Sequence, residues 1–430
     1  MNKKDIAWKA IFEKFDISKK LKIDGRASIS AEQIKEVTKD LGIGKQEPRL
    51  LTKYDARDER AKILKLHNCT ILAEKNGHYL ILEGDGYHDV EEVNDVQFFK
   101  SKNIGHLQSL PSICTSESQV IDTAKASGLL RQFFGEDELV LTIRGRLRSG
   151  AFSYNFDKHS VSVKGVQVEV DSGYEGENVY LLEAKMGTRD NFITRQLYYP
   201  YRMWSDRIPT KEIIPVFISY SDKTFYIHQY KFLDKNQYNS IELIRSGAFV
   251  IEEHDTICMP VELINYKSTS FLNDVAPKSN EINIPFPQAD DVRKVIDFIY
   301  AVAGGVTSKK EIAEYYGFDE RQSDYYGNAA RYLGFVDLED GMFILTDTGR
   351  NYVDSSKDER ALMMIKAMME SPTINSLYKS AIHIGGVPDV PFIAKIIHKN
   401  RKEINITTSK RRAQTMIKWL DWMWKKTHNI

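Results

Sequence analysis

The run Val166-Gln167-Val168-Glu169-Val170-Asp171, a loop, and then Val179-Tyr180-Leu181-Leu182-Glu183-Ala184-Lys185 decide how this chain is read. Both runs have the character of strands, whose successive side chains point to opposite faces. Gln167, Glu169 and Asp171 then share one face, and Val166, Val168 and Val170 the other. Glu183 and Lys185 point one way, while Tyr180, Leu182 and Ala184 point the other. The eleven residues between Asp171 and Glu183 include Gly173 and Gly176. That loop can return the chain beside itself as a hairpin and bring Asp171 to Glu183.

Working outward, the pattern predicts a helix over 117–134 and strands over 139–144, 152–156 and 161–171. The site strand 179–185 follows, then a helix over 191–204 and strands over 213–219 and 224–231. Strands separated by helices imply an α/β sheet that is partly parallel. Before it, Trp8, Ile11, Phe12 and Phe15 form a helical stripe, and Ser30 caps a second helix over 31–41. Two short strands, 70–73 and 79–82, flank the hairpin signal Asn76-Gly77. Residues 236–289 read as a connecting helix and linker, punctuated by Pro277, Pro285 and Pro287.

Beyond that linker, Val292, Val295, Ile296 and Ile299 mark a helix that ends at Gly304-Gly305. Ser308 to Glu311 is a capping box opening a second helix, which Gly317 closes. Asp319-Glu320-Arg321-Gln322 opens a third, with Tyr326, Ala330 and Leu333 inward. A hairpin around Glu339-Asp340-Gly341 comes next. Three helices and a hairpin form the winged helix-turn-helix pattern, whose third helix reads a DNA groove. Arg321, Gln322, Asn328 and Arg331 are its candidate contacts, with Arg suited to guanine and Gln or Asn to adenine. The last helix, over 407–425, is basic at its start through Lys410, Arg411 and Arg412. Its tryptophans, Trp419, Trp422 and Trp424, read as core rather than as a stacking platform.

The chain has 430 residues, with 60 Lys+Arg against 60 Asp+Glu. Residues 395–430 hold ten basic and two acidic side chains, a local charge of +8 on a neutral protein. Such a footprint suits nucleic acid. Hydrophobic and charged shares of 42% and 28% exclude a disordered chain. No run approaches the ~20 apolar residues of a membrane helix. Three scattered cysteines, Cys69, Cys114 and Cys258, argue against disulfides and a cysteine zinc site, and suit the cytoplasm. A Gly-x-x-x-x-Gly-Lys phosphate loop is missing, so ATP-driven translocation has no support.

Two carboxylates and a lysine on one patch suit metal-assisted phosphodiester hydrolysis. Carboxylate oxygens hold Mg²⁺, the ion lowers the pKa of water, and an ammonium stabilises developing charge. An acidic-x-Lys tripeptide alone would arise roughly six times by chance in this composition. The strand context and the upstream aspartate carry the information. Here the chain resembles the PD-(D/E)XK nuclease superfamily. Asp171 matches the first aspartate and Glu183-Ala184-Lys185 the second half, with Val170 where the family usually has proline. The resemblance implies that Asp171 and Glu183 are metal ligands, helped by the Ala184 carbonyl. It implies that Lys185 supports the attacking water and that the products carry 5′-phosphates. Glu169 is a candidate third carboxylate or a salt-bridge partner, and Glu138 a weaker candidate. The helix after the motif resembles the Gln/Tyr-bearing helix of related nucleases. It offers Arg195, Gln196, Tyr198 and Arg202 to DNA.

The wider chain is similar to type II restriction endonucleases. The likeness includes Glu47-Pro48-Arg49-Leu50-Leu51-Thr52-Lys53-Tyr54-Asp55 and the basic stretch Arg144-Gly145-Arg146-Leu147-Arg148-Ser149-Gly150, which reads either as a close approach to a DNA backbone through Arg144, Arg146 and Arg148 or as an ordinary turn between strands. The fold class expected is multidomain α/β. It has an α+β region over 1–112 with a role in DNA recognition and a PD-(D/E)XK mixed-sheet core with linker over 113–287. A winged helix-turn-helix over 288–356 and a basic helical region over 357–430 complete it. The resemblance implies sequence-specific double-strand cleavage of DNA by a homodimer, with a cognate DNA methyltransferase as functional partner. The alternatives are a modification-dependent or structure-specific nuclease, and a non-enzymatic winged-helix regulator.

Overall fold

The computed structural model describes residues 3–44, 46–101, 104, 107–252, 275–279, 283–316 and 320–428. The N-terminal stripe forms α1 (Lys3–Lys14), with Trp8, Ile11 and Phe12 buried. After α2 (Ile17–Asp24) and β1 (Arg26–Ser30), the Ser30–Gln33 capping box starts α3 (Ala31–Lys39). The short helices α4 (Pro48–Thr52) and α5 (Lys62–Leu66) precede the hairpin of β2 (Cys69–Lys75) and β3 (His78–Glu83). Then come β4 (Tyr87–Asp89) and β5 (Val96–Lys100).

Residues 117–134 make two helices rather than one. Gly128, at φ +86°, ends α6 (Glu117–Ala126) before α7 (Leu129–Phe134), a conformation that glycine adopts without steric cost. Most of the basic stretch is strand: β6 runs from Val140 to Arg148 and takes in Arg144–Arg148, and only Ser149-Gly150 connect it to the following strand. The strand expected over 161–171 divides at Gly165, φ +65°. The preceding hairpin, β7 (Ala151–Phe156) and β8 (His159–Lys164), joins the N-terminal sheet, while β9 (Gln167–Glu175) enters the central one. The site strand β10 (Val179–Met186), β11 (Asn191–Ile193), α8 (Arg195–Arg207), β12 (Ile213–Ser221) and β13 (Thr224–Phe232) follow. The connecting helix expected over 236–289 is replaced in its first part by a strand, β14 (Ile241–Glu252), which extends the sheet. Residues 253–274, with Cys258, lie outside the described residues.

The five-stranded N-terminal sheet has the order β1-β3-β2-β8-β7, and the seven-stranded central sheet β5-β14-β13-β12-β10-β9-β6. Strand β10 runs antiparallel to β9 and parallel to β12, so the central sheet is mixed. Every residue of β10 is buried. Tyr180, Leu182, Ala184 and Met186 join the core beneath α6 and α7. Val179 and Leu181, on the opposite face, pack with Leu197 and Tyr198 of α8 and with the N-terminal sheet.

The C-terminal part is mostly helical. α9 (Val292–Ala303), α10 (Lys309–Tyr316) and α11 (Glu320–Tyr332) precede the hairpin β15 (Val336–Glu339) and β16 (Met342–Leu345). Next are α12 (Asp347–Asp354), α13 (Lys357–Met369), α14 (Pro372–Ile384), α15 (Val390–Asn400) and α16 (Ile406–His428). Residues 288–356 and 357–430 contribute to one continuous core, in which Trp419 is fully buried and donates Nε1–H to the Ala289 carbonyl. Gly317 and Asp319, expected at the break before the third helix, lie outside the described residues. Two buried contacts seat this part on the central sheet. Arg360 Nε donates to Asp222 Oδ1 at 2.7 Å, and Asp297 accepts from Ser221 Oγ at 2.5 Å and from Thr188 N–H at 2.9 Å. Among the described residues no helix is long and apolar enough to cross a membrane.

Candidate active site

The β9–β10 ladder ends at Ser172 opposite Leu182. Beyond that pair the Asp171 side chain replaces the backbone: its Oδ2 accepts the Ala184 N–H at 2.8 Å. Asp171 therefore caps the peptide that follows Glu183. Glu183 and Lys185 share the face opposite Ala184, as alternation predicts. Lys185 Nζ lies 2.6 Å from Glu183 Oε1 and 2.9 Å from the Ala184 carbonyl oxygen. Its third acceptor is Glu117 Oε1, at 3.1 Å. Gln196 Nε2, from the first turn of α8, donates to Glu183 Oε1 at 2.7 Å. The hairpin, α6 and α8 thus converge on one point.

Charge is concentrated here and shielded from water. Glu183 and Lys185 are 7% and 8% exposed, so their pair is buried and not a surface salt bridge. Burial pushes the Glu183 carboxyl up to about 8; Asp171 and Glu117 add to the rise, and Lys185 opposes it. Burial also raises Asp171, against the pull of Lys185. Burial would lower Lys185, but Glu183, Glu117 and Asp171 outweigh it and hold the ammonium charged. Three carboxylates face one lysine, so the cluster carries excess negative charge.

Asp55 is a further member that the sequence did not single out. It lies beyond α4, in the segment 47–55, and Lys53 Nζ is 3.3 Å from its Oδ2. Burial raises its carboxyl, but Lys53, Lys185 and Arg195 together hold it below the usual carboxylate range. Arg57 N–H donates to Asn191 Oδ1 at 2.7 Å, fixing this segment to β11. The other missed residue is Glu117. Its signal was present: a carboxylate directly after the helix cap Ser116, at the end of α6 nearest the strand termini. Glu138, the candidate weighed instead, is exposed beyond α7 and makes no contact with the cluster among the described residues.

The donors suit a hard cation. Among the described residues no three His, Cys, Asp or Glu side chains form a ready metal cluster. The set offered is Asp171, Glu183 and the Ala184 carbonyl, two carboxylates and a peptide oxygen. Such a set matches an ion like Mg²⁺, which keeps several waters. Two buried oxygens beside it, Asp55 Oδ1 and Gln196 Oε1, have no protein donor. Buried acceptors without donors are costly, and water or a hydrated cation would satisfy them.

The residues expected to touch DNA divide by burial. Tyr198 is fully buried and donates its hydroxyl to the Lys235 carbonyl at 2.7 Å. Arg202 is 4% exposed and donates to the Ser153 and Lys235 carbonyls and Asn236 Oδ1. These two fasten α8 to β7 and to the segment after β13 and are not available to phosphates. Arg195 is half-buried beside Asp55. Arg144, Arg146 and Arg148 alternate along the exposed face of the edge strand β6. Arg144 is held by Asp122 and Ser172, and Arg146 by Glu169 at 3.2 Å, so Glu169 serves as a salt-bridge partner. Gln322 is exposed on α11. Arg331 is drawn toward Asp337 at 3.5 Å and Asn328 at 3.3 Å. The side chain of Arg321 lies outside the described residues. Lys410 and Arg411 are exposed, whereas burial, with Arg411 beside it, pulls the half-buried Arg412 down to about 10.

Three families match the chain, each a domain of unknown function. DUF6996 matches residues 5–81, DUF6997 residues 82–250 and DUF7226 residues 294–428. Glu117, Asp171, Glu183, Lys185 and Gln196 all fall in the second segment, while Asp55 comes from the first. No curated protein and no solved structure gives a significant match.

Proposed function

We propose that this protein is a Mg²⁺-dependent DNA endonuclease of restriction type, with a PD-(D/E)XK core over 113–252 and a winged helix over 288–356. One observation carries the reading: Asp171 bonds the Ala184 N–H, while Glu183, Lys185 and Gln196 form a buried chain of contacts beside it. The element order α6/α7, β6, β9, β10, α8, β12 supports it, being the α-β-β-β-α-β order of that nuclease core. Helices α9–α11 with the β15–β16 hairpin have the arrangement of a winged helix.

Asp171, Glu183 and the Ala184 carbonyl would hold the ion. Bound Mg²⁺ would neutralise charge on the scissile phosphate and make a water more acidic. Lys185 Nζ presents a charged donor to the same phosphate or water. Gln196 and Glu117 fix the directions of Glu183 and Lys185, and Asp55 helps to hold the lysine protonated.

The test is incubation of unmodified and modified plasmid DNA with the purified protein and Mg²⁺, followed by sequencing of the ends. Discrete 5′-phosphate ends from the native protein, lost in Asp171→Ala and Lys185→Ala while DNA binding persists, are expected. Cutting by either variant at the native rate would refute the site. Binding without cutting on every substrate would favour a non-catalytic regulator.

A further inference from the structure

At the far end of β6 the chain builds an open groove of about 630 Å³. It lies between the β2–β3 hairpin, the β6–β7 connection and the end of β8, and is lined in part by Lys75, His78, Arg148 and Lys164. No carboxylate lines it among the described residues. Lys75 and Lys164 are direct partners across the parallel β2–β8 bridge. Like charges placed opposite one another on adjacent strands destabilise a sheet. An anion between them reverses that effect. Lys75, Arg148 and Lys164 are exposed, and Arg207 donates to the Arg148 carbonyl at the rim.

Through Arg148 the groove borders the β6 edge of the central sheet, next to the strand that carries Asp171. Arg148 pairs in register with Gln167, and Arg146 with Glu169, on the strand that carries Asp171. Four residues of β9 separate Asp171 from Gln167, about 13 Å at roughly 3.3 Å per residue. Arg144, Arg146 and Arg148 border that interval. A DNA strand advances about 3.4 Å per nucleotide along the helix axis. The same interval therefore spans about four nucleotides.

We propose that this groove is a second DNA-binding site, which takes the phosphodiester backbone of duplex DNA about four nucleotides from the scissile phosphate. The proposal rests on the nuclease reading for the position of the cut. Binding by the groove itself requires no cleavage. The N-terminal sheet, through Lys75 and His78, and the β8 strand, through Lys164, supply half of a clamp whose other half is the β6 edge. Contacts of this kind fix the register of the duplex without reading its bases.

The experiment uses the full chain with Lys75→Gln, Arg148→Gln and Lys164→Gln combined. Binding to a duplex is measured in EDTA as a function of salt, and thermal unfolding checks the fold. Three lost phosphate contacts should reduce the log–log salt slope by about 2.7 and weaken binding on the order of a hundredfold at ~0.15 M salt. Phosphate ethylation about four nucleotides from the cut should weaken native binding and leave the triple variant unaffected. An unchanged slope in a folded triple variant overturns the proposal. So does displacement of the duplex from the groove by millimolar ATP in EDTA, which would assign the groove to a small phosphate ligand. If the native protein binds DNA through the groove but never cuts, the nuclease reading fails and the groove stands.

Discussion

Asp171 Oδ2 and the Ala184 N–H are 2.8 Å apart, where the β9–β10 ladder would otherwise have continued through its backbone. A side chain has replaced a main-chain partner, and the strands part just where the carboxylates gather. The opening leaves Glu183 and Lys185 paired in a buried site that α6 and α8 close from either side.

Glu117 is the contact of Lys185 that reaches furthest into solvent, with its side chain 41% exposed. Glu117→Gln should keep the fold and DNA binding while slowing cleavage about tenfold, or ~1.4 kcal/mol in the barrier. Because Glu117 helps to raise Glu183, its neutralisation should also move the rise of Mg²⁺ affinity with pH to lower pH. Titration of cleavage against Mg²⁺ between pH 6 and 9 checks both effects. An unmoved pH profile would assign Glu117 a merely structural role.

Asp297 ties the C-terminal helices to Thr188, three residues beyond Lys185. Burial pushes its carboxyl up to about 6, against the opposing hydrogen bonds of Ser221 and Thr188. A folded value above the ordinary 3.8 means the proton is bound more tightly in the folded state. The contribution is fully present below the ordinary value and lost as pH rises through about 6. Native stability relative to Asp297→Asn should fall by about 2 kcal/mol between pH 4 and pH 7. Urea unfolding across that range is the measurement, and a constant difference would contradict it.

Arg202 supports α8 rather than DNA. Arg202→Ala should remove the hydrogen bonds to the Ser153 and Lys235 carbonyls and to Asn236 Oδ1, together with the packing over Phe152. A loss of about 2–4 kcal/mol is expected. The fraction that folds should bind DNA with the native salt slope. A reduced slope with native stability would restore Arg202 to the DNA surface.

The C-terminal elements should separate into readers and anchors. Gln322→Ala should weaken cleavage only at particular base positions of a near-cognate library, by about 1–3 kcal/mol. Arg331→Ala should leave base preference unchanged, because Asp337 and Asn328 already occupy its guanidinium. Lys410→Ala with Arg411→Ala should lower the salt slope by about 1.8, and adding Arg412→Ala should lower it little more. A uniform loss across the library in Gln322→Ala would make it a phosphate anchor.

The sequence by itself determined the local elements and the chemistry on each. Alternation placed Glu183 and Lys185 on one face of β10, and the cap at Ser30 and the capping box at Ser308 marked helix starts, because both signals are read over a few adjacent residues. Much of the order of helices and strands between residues 117 and 232 likewise follows from local periodicity, although the breaks at Gly128 and Gly165 do not. Only the tertiary structure decided which sheet the β7–β8 hairpin joined, that residues 241–252 extended the central sheet, and that Tyr198 and Arg202 faced inward. Those outcomes depend on partners far along the chain: Tyr198 and Arg202 meet Lys235, and the Lys185 ammonium helps to hold down the carboxyl of Asp55, 130 positions away. A helical face states only which residues travel together. Burial on that face is set by what packs against it, and in this protein two structural regions separated in sequence meet at α8.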